Sequence, residues 1–127
     1  MNYLVDTHVL LWYFNDSVNL SETALNVIED INCQKFINIA SLWEFSIKLS
    51  IGKLRFEGGL RQLLEIAEKN GFIVQPITQS HLSGIIDLPF IHRDPFDRLL
   101  IAAAKTDDMT LLTDDENILK YDVQTYW

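Results

Sequence analysis

Acidic residues that stand just past apolar runs carry most of the chemistry this sequence could perform. Asp6 closes the run 3–6 (YLVD), and Asp114 and Asp115 follow 110–113 (TLLT). Glu44 falls shortly after 35–39 (KFINI), and Asp97 sits three residues past Asp94 in the stretch HRDPFD. Brought together, such acids would form a carboxylate cluster, and like charges within a few ångströms raise one another's pKa. A hard divalent cation relieves that repulsion. Mg²⁺ takes carboxylate oxygens, keeps several waters and shares its shell with phosphates. One or two such ions can generate a hydroxide nucleophile and offset the charge of a phosphodiester in transit. Asp6, Glu44, Asp97 and Asp115 are therefore the candidate metal-binding and catalytic residues, and the reaction they suit is metal-assisted phosphodiester hydrolysis.

Convergence of these acids depends on the elements that carry them. Short strand-like runs alternate with helical patterns along the chain. Strands are expected at 3–6, 35–39, 72–75 (FIVQ) and 110–113, with a fifth possible at 123–126. Helices are expected at 7–14, from an N-cap at Ser21 to about Asp30, from a cap at Ser41 to Ile51, and over 60–70. Further helices are expected from Thr78 to about Asp87 and over 114–120. Asp94-Pro95 is the clearest signal: a capping carboxylate, proline at the first helical position and Asp97 at the third, opening a helix to about Thr106. Strands separated by helices imply parallel βαβ units. The expected fold is a three-layer α/β/α domain with a central parallel sheet of four to five strands and helices on both faces. Ligands of such sheets sit beyond the carboxyl ends of the strands, at a topological switch point. Asp6 and Asp115 fall there if the first and fourth strands are neighbours.

Taken singly, each acid has an ordinary explanation. Asp6 can cap the first helix, Glu44 can pair with Lys48 one turn on, Asp97 can pair with Arg98, and Asp114 and Asp115 can be turn residues. Neighbours along an extended chain point to opposite sides, so only one of the last two should face inward. Lys48, Arg93 and Arg98 lie near the acidic motifs and are candidate phosphate-positioning bases. Trp12, Trp43 and Phe45 read as core or interface residues rather than nucleobase platforms. His8 and His92 lack a partner at metal-ligand spacing, and His81 reads as incidental.

Composition bounds the answer. The chain has 127 residues, which fits one domain spanning 1–127. A single cysteine, Cys33, excludes an internal disulfide framework and fits a reducing compartment. No apolar run approaches the roughly 20 residues of a membrane span, so a soluble, cytoplasmic domain is expected. Ten Lys and Arg against eighteen Asp and Glu give a net charge of −8. Taken alone, that charge opposes a nucleic-acid partner, because affinity for phosphate backbones comes mostly from Lys and Arg. The four candidate ligands account for half of it.

With these motifs in view, the chain resembles the PIN-domain family, and within it the VapC-type toxins of bacterial toxin–antitoxin pairs. YLVDTHVLLWYF is similar to the family's first motif and places its first metal-binding acid at Asp6. ASLWEFSIKLSIGKL is similar to the helix carrying the second acid, here Glu44. HRDPFDRLLIAAA is the most specific match and places the third acid at Asp97. LLTDDENILKY is similar to the fourth motif, with Thr113 and Asp115 in its places. The resemblance implies a metal-dependent endoribonuclease using Mg²⁺ or Mn²⁺, an RNA substrate, an antitoxin protein that occludes the site, and a homodimer. Thr7, Thr113, Asp114 and Asp94 are then expected to support the metal ligands. Where the family often has a basic residue after the fourth acid, this chain has Glu116.

Two other readings are open to a domain of this kind. A phospho-accepting receiver domain shares the size, architecture and acid cluster, but needs an acceptor Asp at the end of the third strand and a Lys after the last. Here those places hold Gln75-Pro76 and Tyr126-Trp127. A PIN-like binding module without activity would be expected to lose its acids, and all four are present.

Overall fold

A computed structural model describes residues 1–127. In chain order the elements are β1 (Asn2–Val5), α1 (Thr7–Phe14), α2 (Glu22–Glu29), β2 (Gln34–Asn38), α3 (Ile39–Ser50) and α4 (Gly59–Lys69). They continue with β3 (Phe72–Gln75), α5 (Gln79–Asp87), α6 (Pro95–Thr106), β4 (Thr110–Leu112), α7 (Glu116–Leu119) and β5 (Thr125–Tyr126). The five strands form one sheet in the order β3-β2-β1-β4-β5, with every neighbouring pair parallel. No helix is long and apolar enough to cross a membrane.

Alternation along the strands divides the core into two apolar layers. Tyr3 and Val5 of β1 and Leu112 of β4 pack with Leu10, Ile28, Phe45 and Leu63 on one face. Leu4 and Leu111 pack with Leu100, Ile101, Ala103 and Ile118 on the other. Each large aliphatic side chain so buried contributes about 1.5–3 kcal/mol. The expected three-layer α/β/α arrangement is therefore present, with five strands. The alanines of α6 let α5 come close. A Cβ at Gly84 would stand 3.1 Å from the Thr106 hydroxyl and 3.4 Å from the Ala102 Cβ, so a larger residue there would need the Thr106 side chain to shift.

The starts of α3 and α7 and the extent of β5 differ most from the sequence expectation, the first two through helix capping. α3 starts at Ile39 and is capped by Asn38, whose Oδ1 accepts from the Ala40 N–H at 2.8 Å. Asn38 ends β2 and opens α3 without an intervening loop, so Glu44 lies in the second turn of α3, not the first. Ser41, expected as the cap, is buried and its hydroxyl has no partner. α7 starts at Glu116 because Asp115, rather than Asp114, takes the N-cap position. β5 is confined to Thr125 and Tyr126.

His81 is not incidental. It is wholly buried, and its Nδ1 accepts from the Thr78 N–H at 3.2 Å, which leaves the ring proton on Nε2 to donate to Asp107 Oδ2 at 2.7 Å. Gln75 Nε2 donates to the same Asp107 oxygen at 2.6 Å, and Asn38 Nδ2 donates to Gln75 Oε1 at 2.8 Å. This chain of polar side chains ties the ends of β2 and β3 to α5 and to the end of α6. Unpaired buried polar groups carry a desolvation penalty, so each member depends on the others. Asn38→Ala should lower stability by about 1–3 kcal/mol through loss of the cap and of the Gln75 contact. Urea unfolding should show a lower midpoint with an unchanged slope, and an unmoved midpoint would contradict the role given to the network.

Candidate metal centre

The order β3-β2-β1-β4-β5 makes β1 the switch point. The chain moves to one side of it for β2 and β3 and returns to the other side for β4 and β5. Val5 pairs with Leu112, so the residues that follow, Asp6 and Thr113, emerge side by side. The Asp6 N–H donates to the Leu112 carbonyl at 3.2 Å, extending the ladder one residue past β1. Asp6 stands at the N-cap position of α1, but its side chain caps nothing. Its Oδ2 accepts from the Thr113 hydroxyl at 2.8 Å. The same hydroxyl oxygen accepts from the Asp115 N–H at 3.1 Å. Thr113 thus fixes Asp6 and the backbone of Asp115 together. Asp115 Oδ1 accepts from the Asn117 N–H at 2.8 Å and caps α7, while Asp114 points into solvent.

α3 and α6 bring the other two acids. Glu44 is buried, only 8% exposed, and its Oε2 lies 3.2 Å from Lys48 Nζ. The pair anticipated one turn apart does form, with its acid inside the protein rather than on a solvated face. Asp97 lies in the first turn of α6. Asp94 caps that helix, its Oδ1 accepting from the N–H groups of Phe96 and Asp97 at 2.9 and 3.2 Å. The partner of Asp97 is His92, with Nε2 and Oδ2 3.6 Å apart, and not Arg98.

His92 is the residue that sequence reasoning passed over. One ligand atom each of His92, Asp94 and Asp97 lie within 4.8 Å of one another, the tightest grouping of possible metal donors in the molecule. The available signal was the spacing H-x-D-P-x-D, which places a histidine two residues before a helix cap. The loop holding His92 is clamped from behind. The buried Tyr121 hydroxyl accepts from the Ile91 and His92 N–H groups at 3.2 and 2.8 Å and donates to the His92 carbonyl at 3.1 Å. Arg98 Nη1 donates to that hydroxyl and to the Pro89 carbonyl, each at 3.0 Å, and Nη2 donates to the Ile85 carbonyl at 3.3 Å. Arg98 is therefore buried and committed to the scaffold, where the sequence placed a phosphate-positioning base. Burial raises the Tyr121 phenol, but the hydrogen bonds from His92, Arg98 and Ile91 and the Arg98 charge hold it below its ordinary value. Lys48 is engaged by Glu44, and Arg93 is exposed. Thr7 is buried and its hydroxyl has no partner, so it makes no hydrogen bond to an acid.

Asp6, Glu44 and Asp115 stand outside the close His92–Asp94–Asp97 grouping, although their charges reach Asp97. Asp97 is pushed up to about 8, first by burial and then by the charges of Asp94, Asp6, Asp115 and Glu44. Asp6 is also raised. Burial is the largest cause, Asp115 and Glu44 add to it, and the Thr113 hydrogen bond and His8 act against it. The donors are carboxylate oxygens with one imidazole nitrogen, which suits a divalent cation such as Mg²⁺ or Mn²⁺. The residues present therefore fit a metal ion.

The parallel sheet, with β1 at its switch point and helices on both faces, defines a three-layer α/β/α domain. The chain matches the PIN domain family over residues 3–124 and belongs to that family. No curated protein matches it by sequence. Among solved structures it is similar to a chain of VapBC2 from Rickettsia felis bound to a DNA fragment from its promoter, with a TM-score of 0.77 and 16% identity over 99% of this chain and 98% of that one. It is also similar to a chain of VapBC-1 from nontypeable Haemophilus influenzae, with a TM-score of 0.74 and 14% identity over 99% and 97%. A chain of FitAcB from Neisseria gonorrhoeae gives a TM-score of 0.58 and 17% identity over 98% and 96%. At these identities the likeness is one of fold.

The Asp97 shift predicts how stability depends on pH. In the metal-free folded protein this carboxyl keeps its proton up to about 8, whereas in the unfolded chain it loses it near an ordinary value of about 3.9. Between those limits the folded state binds more protons, so stability falls as pH rises through that window. In the presence of a chelator the Tm should decline from about pH 5 to about pH 8. Asp97→Asn should flatten the decline, and saturating Mn²⁺ should restore the Tm at the upper end. A chelated protein whose Tm rises over this range would contradict the repulsion.

Proposed function

We propose that this chain is a metal-dependent endoribonuclease of VapC type, the toxin of a toxin–antitoxin pair. The observation that carries the reading is the grouping of His92, Asp94 and Asp97 within 4.8 Å in a PIN domain. The likeness in fold to chains of VapBC and FitAcB complexes supports the toxin assignment and a separate antitoxin protein. A homodimer and a cytoplasmic location go with the reading. So does a basic antitoxin segment attracted to the acidic face.

In this reading Asp6, Glu44, Asp97 and Asp115 hold one or two Mg²⁺ or Mn²⁺ ions, with His92 and Asp94 beside Asp97. The metal, when bound, supplies the positive charge that activates water and offsets the phosphodiester's charge. Thr113 holds the Asp6 carboxylate in a fixed rotamer and keeps the Asp115 backbone next to it. Tyr121 and Arg98 hold the His92 loop. Asp94 pins the first turn of α6 and so the direction of Asp97.

RNA cleavage measured with Mg²⁺, with Mn²⁺ and with EDTA tests the reading. The wild type should cleave with either metal and not with EDTA. Asp6→Asn should reduce cleavage to the EDTA level while keeping the fold by circular dichroism. Thr113→Val should weaken Mn²⁺ binding in titration calorimetry by roughly 10–100-fold, the usual cost of removing a hydrogen bond that orients a metal ligand. Mn²⁺ binding without cleavage of any RNA would favour a PIN-like binding module instead.

A further inference from the structure

Trp43 is 59% exposed, although tryptophan is normally well covered. It is not loosely held. Its ring meets Phe96 edge to face, with centroids 5.2 Å apart and planes at 78°, an arrangement that aromatic quadrupoles favour. Phe96 is anchored through its N–H to Asp94 Oδ1. Neither ring belongs to either half of the core. Trp43 directly precedes Glu44 on α3, and Phe96 directly precedes Asp97 on α6. The pair therefore bridges the two helices that carry two of the acids, beside the proposed metal centre.

Seven of the ten Lys and Arg residues are exposed, but acids outnumber bases overall. Its net charge is −8. Lys48 is paired with Glu44, Arg98 is buried on Tyr121, and Lys35 is buried with Nζ donating to the Ile28 carbonyl at 2.7 Å. Phosphate contacts alone would be weak for such a surface. Stacking of an unpaired base on an aromatic ring does not depend on surface charge and accepts any base.

We propose that Trp43, backed by Phe96, is a stacking platform for an unpaired base next to the scissile phosphodiester, and so helps select single-stranded RNA. The proposal rests on the reading of the chain as a ribonuclease. The test uses the full chain with Mn²⁺, a single-stranded RNA oligomer that it cleaves, and the same oligomer made abasic on both sides of the cut. Trp43→Ala should lower kcat/KM on the ordinary oligomer by roughly tenfold and leave the abasic oligomer unaffected. Trp43→Phe should keep most of the activity. Oligomer binding should quench tryptophan emission, and Trp43→Phe should abolish the quenching, because Trp12 and Trp127 pack against each other instead. Quenching can be read without cleavage. Quenching by an RNA that is not cut would uphold the platform and overturn only the catalytic reading. Equal losses on both oligomers, or unchanged kcat/KM in Trp43→Ala, would overturn the platform. So would a change of oligomeric state in Trp43→Ala with RNA affinity unchanged, which would mark the face as a protein interface.

Discussion

The Asp6 carboxylate is almost wholly removed from water and receives a hydrogen bond from the Thr113 hydroxyl. Burying a carboxylate is costly unless it is paired, bonded or neutralised. A single hydroxyl offsets that only in part, and the charges of Asp115 and Glu44 make the position worse. The rest of the site follows from this one unsatisfied group. It can exist because β1 and β4 are neighbours with their carboxyl ends in register, so that residues 107 positions apart in the chain meet at 2.8 Å.

Holding several acids near one another requires a rigid frame, and the molecule has three separate devices for it. Thr113 joins Asp6 to Asp115. The Asn38–Gln75–Asp107–His81 chain fixes where α3 begins, and hence where Glu44 stands. Tyr121 and Arg98 fasten the loop before α6, and hence His92. Each device uses buried hydrogen bonds rather than apolar packing, because hydrogen bonds fix direction whereas apolar contacts mainly fix distance. The apolar layers on either side of the sheet supply the stability on which these directional contacts rest.

The overall acidity of the chain takes on a different meaning once the acids are placed. Half of the net charge belongs to the four acids proposed as metal ligands, whose charge a divalent cation would offset. The bases that looked available for a phosphate backbone are largely spent inside the fold: Arg98 on Tyr121 and Lys48 on Glu44. An acidic domain of this design favours contacts that do not rely on bulk charge.

Much of this was legible in the sequence. Hydrophobic periodicity located every strand and helix to within a few residues, because apolar spacing and capping residues act locally. Asp94-Pro95 opened α6 where expected, and Asp6, Asp97 and Asp115 stand after strands or at a helix start as expected, whereas Glu44 lies in the second turn of α3. Local signals did not reveal what lies between elements. The capping of α3 by Asn38 rather than Ser41 depends on the geometry of the β2–α3 junction. The roles of His81, Arg98 and Tyr121 depend on partners 23 to 30 residues away in the chain. The placement of His92 beside Asp97 depends on a loop clamped by α6 and Tyr121. The sequence by itself determined the strands and helices and the family motifs they carry, since side-chain type and local pattern suffice for both. Only the tertiary structure decided which of them meet, which bases are free and how strongly Asp97 is perturbed, because burial and charge proximity are properties of packing between distant segments.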